Sequence, residues 1–332
     1  MSYDLIVFDD DCDIHLPEHF FWGGSERTTY IGYGGPPYFK KHWRSKNFIL
    51  RRLYKIFYVF LVLVGKKNQC KLILVYDDIV AFLLFSLLSG RVVNLRLSHL
   101  KDYERMGIYY RKIIYYFLSK LSKNSKIYVI SKTAERYLRK NYGVNSLVLT
   151  SMVNKKSFLI SKKCSGNLIY SGTIYGRNMT PALIKIVKNV HQYLQINKLI
   201  IMAPKMSDNQ RSEFLAALCG DLEVEIIENA CSKKIKEVYS KADFGIAFYD
   251  VWFNNVLKQN FPLKTLEYLA SNVIPIGNEI PAHRELIKHG FQFLKLDNSA
   301  NFLPPSEGFS LEKAKICNRQ LVNELDQYFT IN

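Results

Sequence analysis

Short apolar runs alternate with longer amphipathic ones between residues 168 and 277, and few folds accept that alternation. The apolar runs are 168–171, 198–203, 244–249 and 273–277, with an acidic strand at 222–227, and the amphipathic runs between them include 232–240 and a segment opening near Thr180-Pro181. Runs of this length without strict polar alternation read as strands covered on both faces, which is how parallel sheets are built. Strand and helix in regular turn predict a doubly wound α/β sheet. The first half keeps the same rhythm, with strands expected at 4–8, 71–76, 91–97, 126–130 and 146–150, and helices at 79–88, at 101–123 and behind Ser131. A chain of 332 residues exceeds the usual size of one domain, so two are expected. The polar stretch 151–166 reads as the crossing, which puts the domains at 1–160 and 161–308 with a last helix in 309–332.

Pro262-Leu263-Lys264-Thr265-Leu266-Glu267-Tyr268-Leu269-Ala270-Ser271 carries the chemistry. Pro262 suits a first helical position, where a missing N–H costs nothing. Lys264 then falls in the first turn, beside amides that point outward and carry partial positive charge. A cation there opposes the helix dipole unless an anion lies between them, and a phosphate satisfies both. Glu267 shares a face with Lys264, and a carboxylate next to a phosphate site is a common holder of a ribose diol. The same ten residues also read as an amphipathic helix with an internal Lys–Glu pair, its buried stripe being Leu263, Leu266, Leu269 and Ala270. Upstream, Gly172-Thr173 turns at the end of the 168–171 strand, Arg177 follows within reach of a pyrophosphate, and Lys205 stands just past the 198–203 strand.

The order of Leu168-Ile169-Tyr170-Ser171-Gly172-Thr173, Ala242-Asp243-Phe244-Gly245-Ile246, the Pro262–Ser271 segment and Val273-Ile274-Pro275-Ile276 resembles the donor half of GT-B glycosyltransferases. More narrowly it is similar to the large retaining family 4. The resemblance spans most of residues 166–295 and, more weakly, the first half. It implies two Rossmann-like doubly wound domains facing each other across a cleft, with the final helix packing back toward the N-terminal domain. It implies a nucleotide-diphosphate sugar as donor, with Lys264 and Arg177 stabilising the leaving diphosphate, Gly172 and Thr173 giving backbone contacts, Lys205 adding a cation and Glu267 holding the ribose. Gly23-Gly24, within Gly23-Gly24-Ser25-Glu26-Arg27, looks like the family's segment near the donor phosphate or sugar, with Gly34-Gly35 as the other candidate turn. His99, just past the 91–97 strand, stands where the family often places a residue on donor sugar or acceptor. The family often carries a Glu where this chain has Gln259, which removes the residue usually given to the donor sugar. With retention, the departing phosphate can take the acceptor's proton, so neither a cofactor nor a metal is expected. An Asp9–Asp13 cluster has the spacing of a metal-binding DxD pair, but reads better as a solvated strand end.

Charge points to the second partner. Residues 1–165 hold 28 Lys and Arg against 12 Asp and Glu, net +16, whereas the rest of the chain holds 18 against 17, net +1. The cationic half is expected to face something anionic. Lys40–Lys67 opens basic and aromatic and turns apolar over 56–64, too short for a bilayer span, so it reads either as a buried helix or as one lying in a membrane interface. The 101–123 helix is a second basic and aromatic surface. These features suit a lipid-linked or oligosaccharide acceptor at an anionic membrane surface, in bacterial surface polysaccharide or lipopolysaccharide assembly, rather than nucleic acid. A nucleic-acid-binding protein and a GT-B protein without transferase activity are the two rivals. Six scattered cysteines without metal spacing and the lack of a leader before Tyr3 place the expected protein in the cytoplasm, on the inner face of the membrane.

Overall fold

The apolar runs of the first half form one parallel sheet. In a computed structural model, the strands are β1 (Asp4–Asp9), β2 (Arg27–Gly32), β3 (Leu72–Val75), β4 (Leu95–Leu97), β5 (Ile127–Val129) and β6 (Leu147–Val148). They run in the order β2-β1-β3-β4-β5-β6, every neighbouring pair parallel. The described residues are 4–9, 27–32, 72–75, 95–97, 108–123, 126–129, 132–148, 153–155, 158–160, 165–174, 179–218, 220–249, 262–325 and 329–330. Helix α1 (Ile108–Leu121) buries Ile114, Tyr115 and Leu118, one face at helical spacing, and Tyr115 stacks on Tyr142 of α2 (Lys132–Tyr142) with ring centroids 3.6 Å apart. Strand β2 is new relative to the sequence, where the glycine and proline content of 28–37 argues against a helix and leaves a turn or a surface loop. Thr28-Thr29-Tyr30-Ile31 is a run of β-branched and aromatic residues, and parallel pairing with β1 holds it extended.

By contact density the chain divides into two units. One comprises Met1–Leu16, Phe21–Ser151 and Gln259–Phe261, the other Pro17–Phe20, Met152–Lys258 and Pro262–Asn332. The second holds a two-stranded parallel pair, β7 (Val153–Asn154) with β15 (Phe329–Thr330), and a seven-stranded sheet. That sheet orders β10 (Glu223–Glu228), β9 (Lys198–Ala203), β8 (Asn167–Ser171), β11 (Phe244–Ala247), β12 (Ile274–Asn278), β13 (Leu294–Leu296) and β14 (Phe302–Leu303), parallel except for β13 against β14. Its helices are α3 (Met179–Leu194), α4 (Asp208–Leu218), α5 (Ser232–Tyr239), α6 (Leu263–Ala270), α7 (Pro281–Lys288) and α8 (Leu311–Glu324). Both sheets are doubly wound. In the second, chain order runs outward in one direction from β8 to β10 and in the other from β11, so it reverses between β8 and β11.

The core explains the sequence rhythm. Strands β11 and β12 are buried at every position, and their runs are accordingly apolar up to Asn278, the polar residue that closes β12. Leu168, Ile186, Phe214, Ile246 and Ile274 are each fully excluded from solvent, and each such side chain contributes about 1.5–3 kcal/mol. Two glycines let helices come close. A Cβ on Gly245 of β11 would lie 2.6 Å from the Tyr268 ring of α6, and one on Gly277 of β12 would lie 2.8 Å from the His283 ring of α7. Helix α6 ends in a left-handed Asn272, φ 63°, with Val273 N–H bonded to Tyr268 C=O at 2.8 Å and Asn272 N–H to Leu269 C=O at 3.0 Å.

Asp243, fully buried before β11, ties three segments together. Its Oδ2 accepts from the N–H groups of Ser165 and Gly166, both at 2.6 Å, and its Oδ1 pairs with the buried Lys315 ammonium of α8. Lys155 caps the other end of α8, donating to Val322 C=O at 3.3 Å and Asn323 C=O at 3.2 Å, where a cation complements the helix dipole. Among the described residues, no helix is long and apolar enough to cross a membrane.

Candidate functional site

In an open parallel sheet, ligands bind beyond the carboxyl ends of the strands where the strand order reverses. Here that point is flanked by Ser171-Gly172-Thr173 at the end of β8 and by Phe248-Tyr249 after β11. Gly172 has φ 132°, which a side chain rarely tolerates, and its N–H donates to Met202 C=O of β9 at 2.9 Å. The Tyr170 hydroxyl donates to Thr173 C=O at 3.0 Å and so sets the turn from beneath.

Helix α6 delivers its first turn to this place. Pro262 is the residue before the helix rather than its first member: φ −74° and ψ 108° leave it extended, and its carbonyl accepts from Thr265 N–H at 3.1 Å. The helix therefore opens at Leu263, with first-turn amides that have no intrahelical acceptor. The Lys264 ammonium is 4.7 Å from the centre of the Tyr170 ring and 4.6 Å from that of Tyr249. One ring comes from each side of the reversal point, so the cation bridges β8 and β11. Cation–π attraction to the two rings favours this position. Burial lowers its pKa from 10.5 to about 7, against the raising influence of the Glu267 charge.

Three supports fix this arrangement. Asn278, at the end of β12, grips the Tyr249 backbone on both sides, accepting from its N–H at 3.1 Å and donating to its C=O at 2.8 Å. The buried His283 of α7 joins Asn278 C=O through Nδ1 at 2.8 Å and Thr265 Oγ1 through Nε2 at 3.0 Å. Burial pushes His283 down to about 4, with the Lys264 charge adding to that effect and the Asn278 carbonyl opposing it. The ring is thus neutral near pH 7. Its one proton sits on Nδ1, where the partner can only accept, and Thr265 donates to Nε2. The third support is a set of buried tyrosines. Tyr268 of α6 accepts from Ser171 N–H at 3.1 Å, and Tyr239 of α5 donates to Glu267 Oε2 at 3.0 Å. Burial raises both phenols well above 10, so both remain protonated.

Of the residues singled out from sequence, Gly172, Thr173, Lys264 and Glu267 come together at the reversal point. Lys205 is exposed beyond the end of the neighbouring strand β9. Arg177, His99, Gly23, Gly24 and Gln259 lie outside the described residues. The sequence reading missed Tyr170, Tyr239, Tyr249, Asn278 and His283. Tyr170 and Tyr249 had one legible signal, an aromatic at the carboxyl end of a buried run. The others meet the site only through tertiary contacts.

Solved structures carry the same architecture. A glycosyltransferase from Rickettsia africae superposes with a TM-score of 0.65 over 97% of this chain and 94% of its own, at 13% identity. Anabaena HepE, solved in complex with UDP and glucose, superposes with a TM-score of 0.63 over 100% of this chain and 96% of its own, at 10% identity. Sucrose-phosphate synthase from Thermosynechococcus elongatus gives 0.59 over 96% and 79%, at 13% identity. The fold is GT-B. No protein-family model matches the sequence, and no curated protein matches it. At this identity the likeness concerns the GT-B backbone, and the chemistry of the site rests on the residues described above.

Proposed function

We propose that this protein transfers a sugar from a nucleotide-diphosphate sugar to a glycan acceptor. The observation that carries the reading is the Lys264 ammonium, held between Tyr170 and Tyr249 at the first turn of α6 and at the sheet's reversal point. Cleaving the sugar–phosphate bond puts charge on the leaving diphosphate. A fixed cation beside free helix amides stabilises that charge as it forms, with no reorganisation at the moment of reaction. The GT-B neighbours support the reading, HepE having been solved with UDP and glucose. The donor roles of Gly172, Thr173, Lys205, Lys264, Glu267, Gly23 and Gly24, and the catalytic roles of Lys264, Arg177 and His99, belong to this proposal. So do retention, as in family 4, and a reaction without metal or cofactor.

A thermal-shift panel of UDP, GDP, ADP, dTDP and CMP tests it. At a hundred times its dissociation constant a ligand adds about 2.7 kcal/mol to stability, enough to move the melting temperature by several degrees. One nucleoside diphosphate is expected to shift the protein and CMP to do little. A panel without any shift would remove the donor site.

The acceptor reading is a lipid-linked or oligosaccharide glycan at the inner face of the cell membrane, in bacterial surface polysaccharide assembly. Helix α1 supplies the support. Ile113 and Tyr116 are 54% and 59% exposed, Lys112, Lys120 and Lys123 are exposed around them, and Lys120 lies 5.5 Å from the centre of the Tyr116 ring. Apolar side chains ringed by lysines suit a headgroup layer, where each lysine near an anionic surface adds about 1 kcal/mol. Flotation with phosphatidylglycerol vesicles is expected to carry the protein up, while phosphatidylcholine vesicles leave it behind. Substituting Ile113 and Tyr116 by serine should weaken the flotation. Equal binding to both vesicles would leave the cationic half without its proposed partner.

A further inference from the structure

The donor reading leaves one contact without a role. Tyr239 is fully buried on α5, far in sequence from the Lys264–Glu267 turn, yet its hydroxyl donates to Glu267 Oε2 at 3.0 Å. Its ring cannot swing away. It stacks on Phe158 at 6.3 Å and 13°, and meets Tyr268 edge-on at 5.2 Å and 69°. Tyr268 is in turn tied to the Gly172 turn through Ser171 N–H, so turn, ring stack and carboxylate form one rigid set. A glutamate on a helix surface otherwise samples several rotamers, and a hydroxyl that fixes one carboxylate oxygen also fixes where the other can point.

The geometry points to Tyr239 as the residue that positions Glu267 for the donor's ribose, making the second unit selective for ribonucleoside over 2′-deoxyribonucleoside diphosphates. The inference rests on the donor reading above and adds to it the class of sugar in the nucleoside. A ribose 2′-hydroxyl gives Glu267 a donor that a 2′-deoxyribose lacks. The discrimination is large only if the carboxylate is already aimed, because an unaimed one recovers much of the loss by turning to water. Tyr239 touches no part of the nucleotide in this scheme and acts through Glu267 alone.

The test measures binding of UDP, GDP and ADP and of their 2′-deoxy counterparts by calorimetry, with wild type and Tyr239→Phe. Wild type should prefer the ribo form of its nucleotide by about tenfold, the discrimination one well-made hydrogen bond to a charged group supports. Tyr239→Phe should lose most of that preference by weakening ribonucleotide binding, with affinity for the deoxy form unchanged. A purely structural role would weaken both forms together. A full ribose preference in Tyr239→Phe, or none in wild type, would overturn the assignment and leave the donor reading standing. If wild type binds no nucleoside diphosphate, the donor reading fails and takes this inference with it. Should Tyr239→Phe not fold, Phe158→Leu loosens the same hydroxyl by removing the ring that Tyr239 stacks on, and a ribose preference unchanged in that variant would overturn the assignment. Where Tyr239→Phe folds, adding it to Glu267→Gln should change the ribose preference no further, and a further drop would show Tyr239 acting independently of Glu267.

Discussion

Lys315→Ala is expected to destabilise the second unit by about 3–5 kcal/mol, the usual cost of stripping one partner from a buried ion pair. The size follows from what stays behind. Asp243 is 0% exposed, and its carboxylate would keep the amides of Ser165 and Gly166 and the Ser165 hydroxyl as partners, with no cation to balance its charge. Asp243→Ala should cost more, since it strands the Lys315 ammonium at 6% exposure and orphans both amides at once. The double variant should be well short of the sum, because the two losses are one interaction counted twice. Urea unfolding followed by circular dichroism reads all three. Additive losses in the double variant would mean that the pair does not act as a unit. A cost near 1 kcal/mol for Lys315→Ala would mean that water reaches Asp243 once the lysine is gone.

That pair also marks where the sequence stops being informative. Asp243 sits in an Ala-Asp-Phe-Gly run whose strand is legible because four consecutive positions are buried, but nothing near it names Lys315, seventy-two residues away. Strand β9 was readable to its exact ends, since Asn197 and Pro204 bracket an apolar run. Helix α4 was not, because only Phe214 and Leu218 of its eleven residues are buried and the rest of it reads as polar loop. Helix α7 hides for another reason. It is short, and its buried face includes His283, a residue that sequence patterns place outside. The site divides along the same line. Lys264 and Glu267 are legible because one helix turn carries both. The rings that hold the ammonium, and the phenol on the carboxylate, come from β8, from the segment after β11 and from α5, and only the folded sheet brings them to one point.

Lys264 itself should show the largest functional effect, and of a kind that separates binding from stability. Removing a cation that meets a diphosphate costs about 2–3 kcal/mol, so Lys264→Ala should lose about 30- to 150-fold in affinity for the nucleoside diphosphate that binds wild type. Stability should move the other way. The folded pKa of about 7 lies below the unfolded value of 10.5, so between those values the unfolded chain holds a proton that the folded chain has released. Stability from this group therefore rises with pH across that window, and at neutral pH the partly buried ammonium is a burden until a ligand binds. Lys264→Met, which keeps the packing between the two rings, should melt higher than wild type without ligand and bind the nucleotide as weakly as Lys264→Ala. The ligand reverses the sign. A diphosphate against the ammonium raises its pKa, so binding above pH 7 takes up a proton and affinity falls by as much as about tenfold per pH unit until the bound-state pKa is reached. Calorimetry between pH 7 and 9, in buffers of different ionisation enthalpy, measures the proton directly. His283, at about 4, remains neutral over this range, and the buried phenols remain protonated, so neither supplies the proton. Uptake that persists in Lys264→Met would move the titration to another group, whereas its loss would fix on Lys264 the cation that the donor site is built to present.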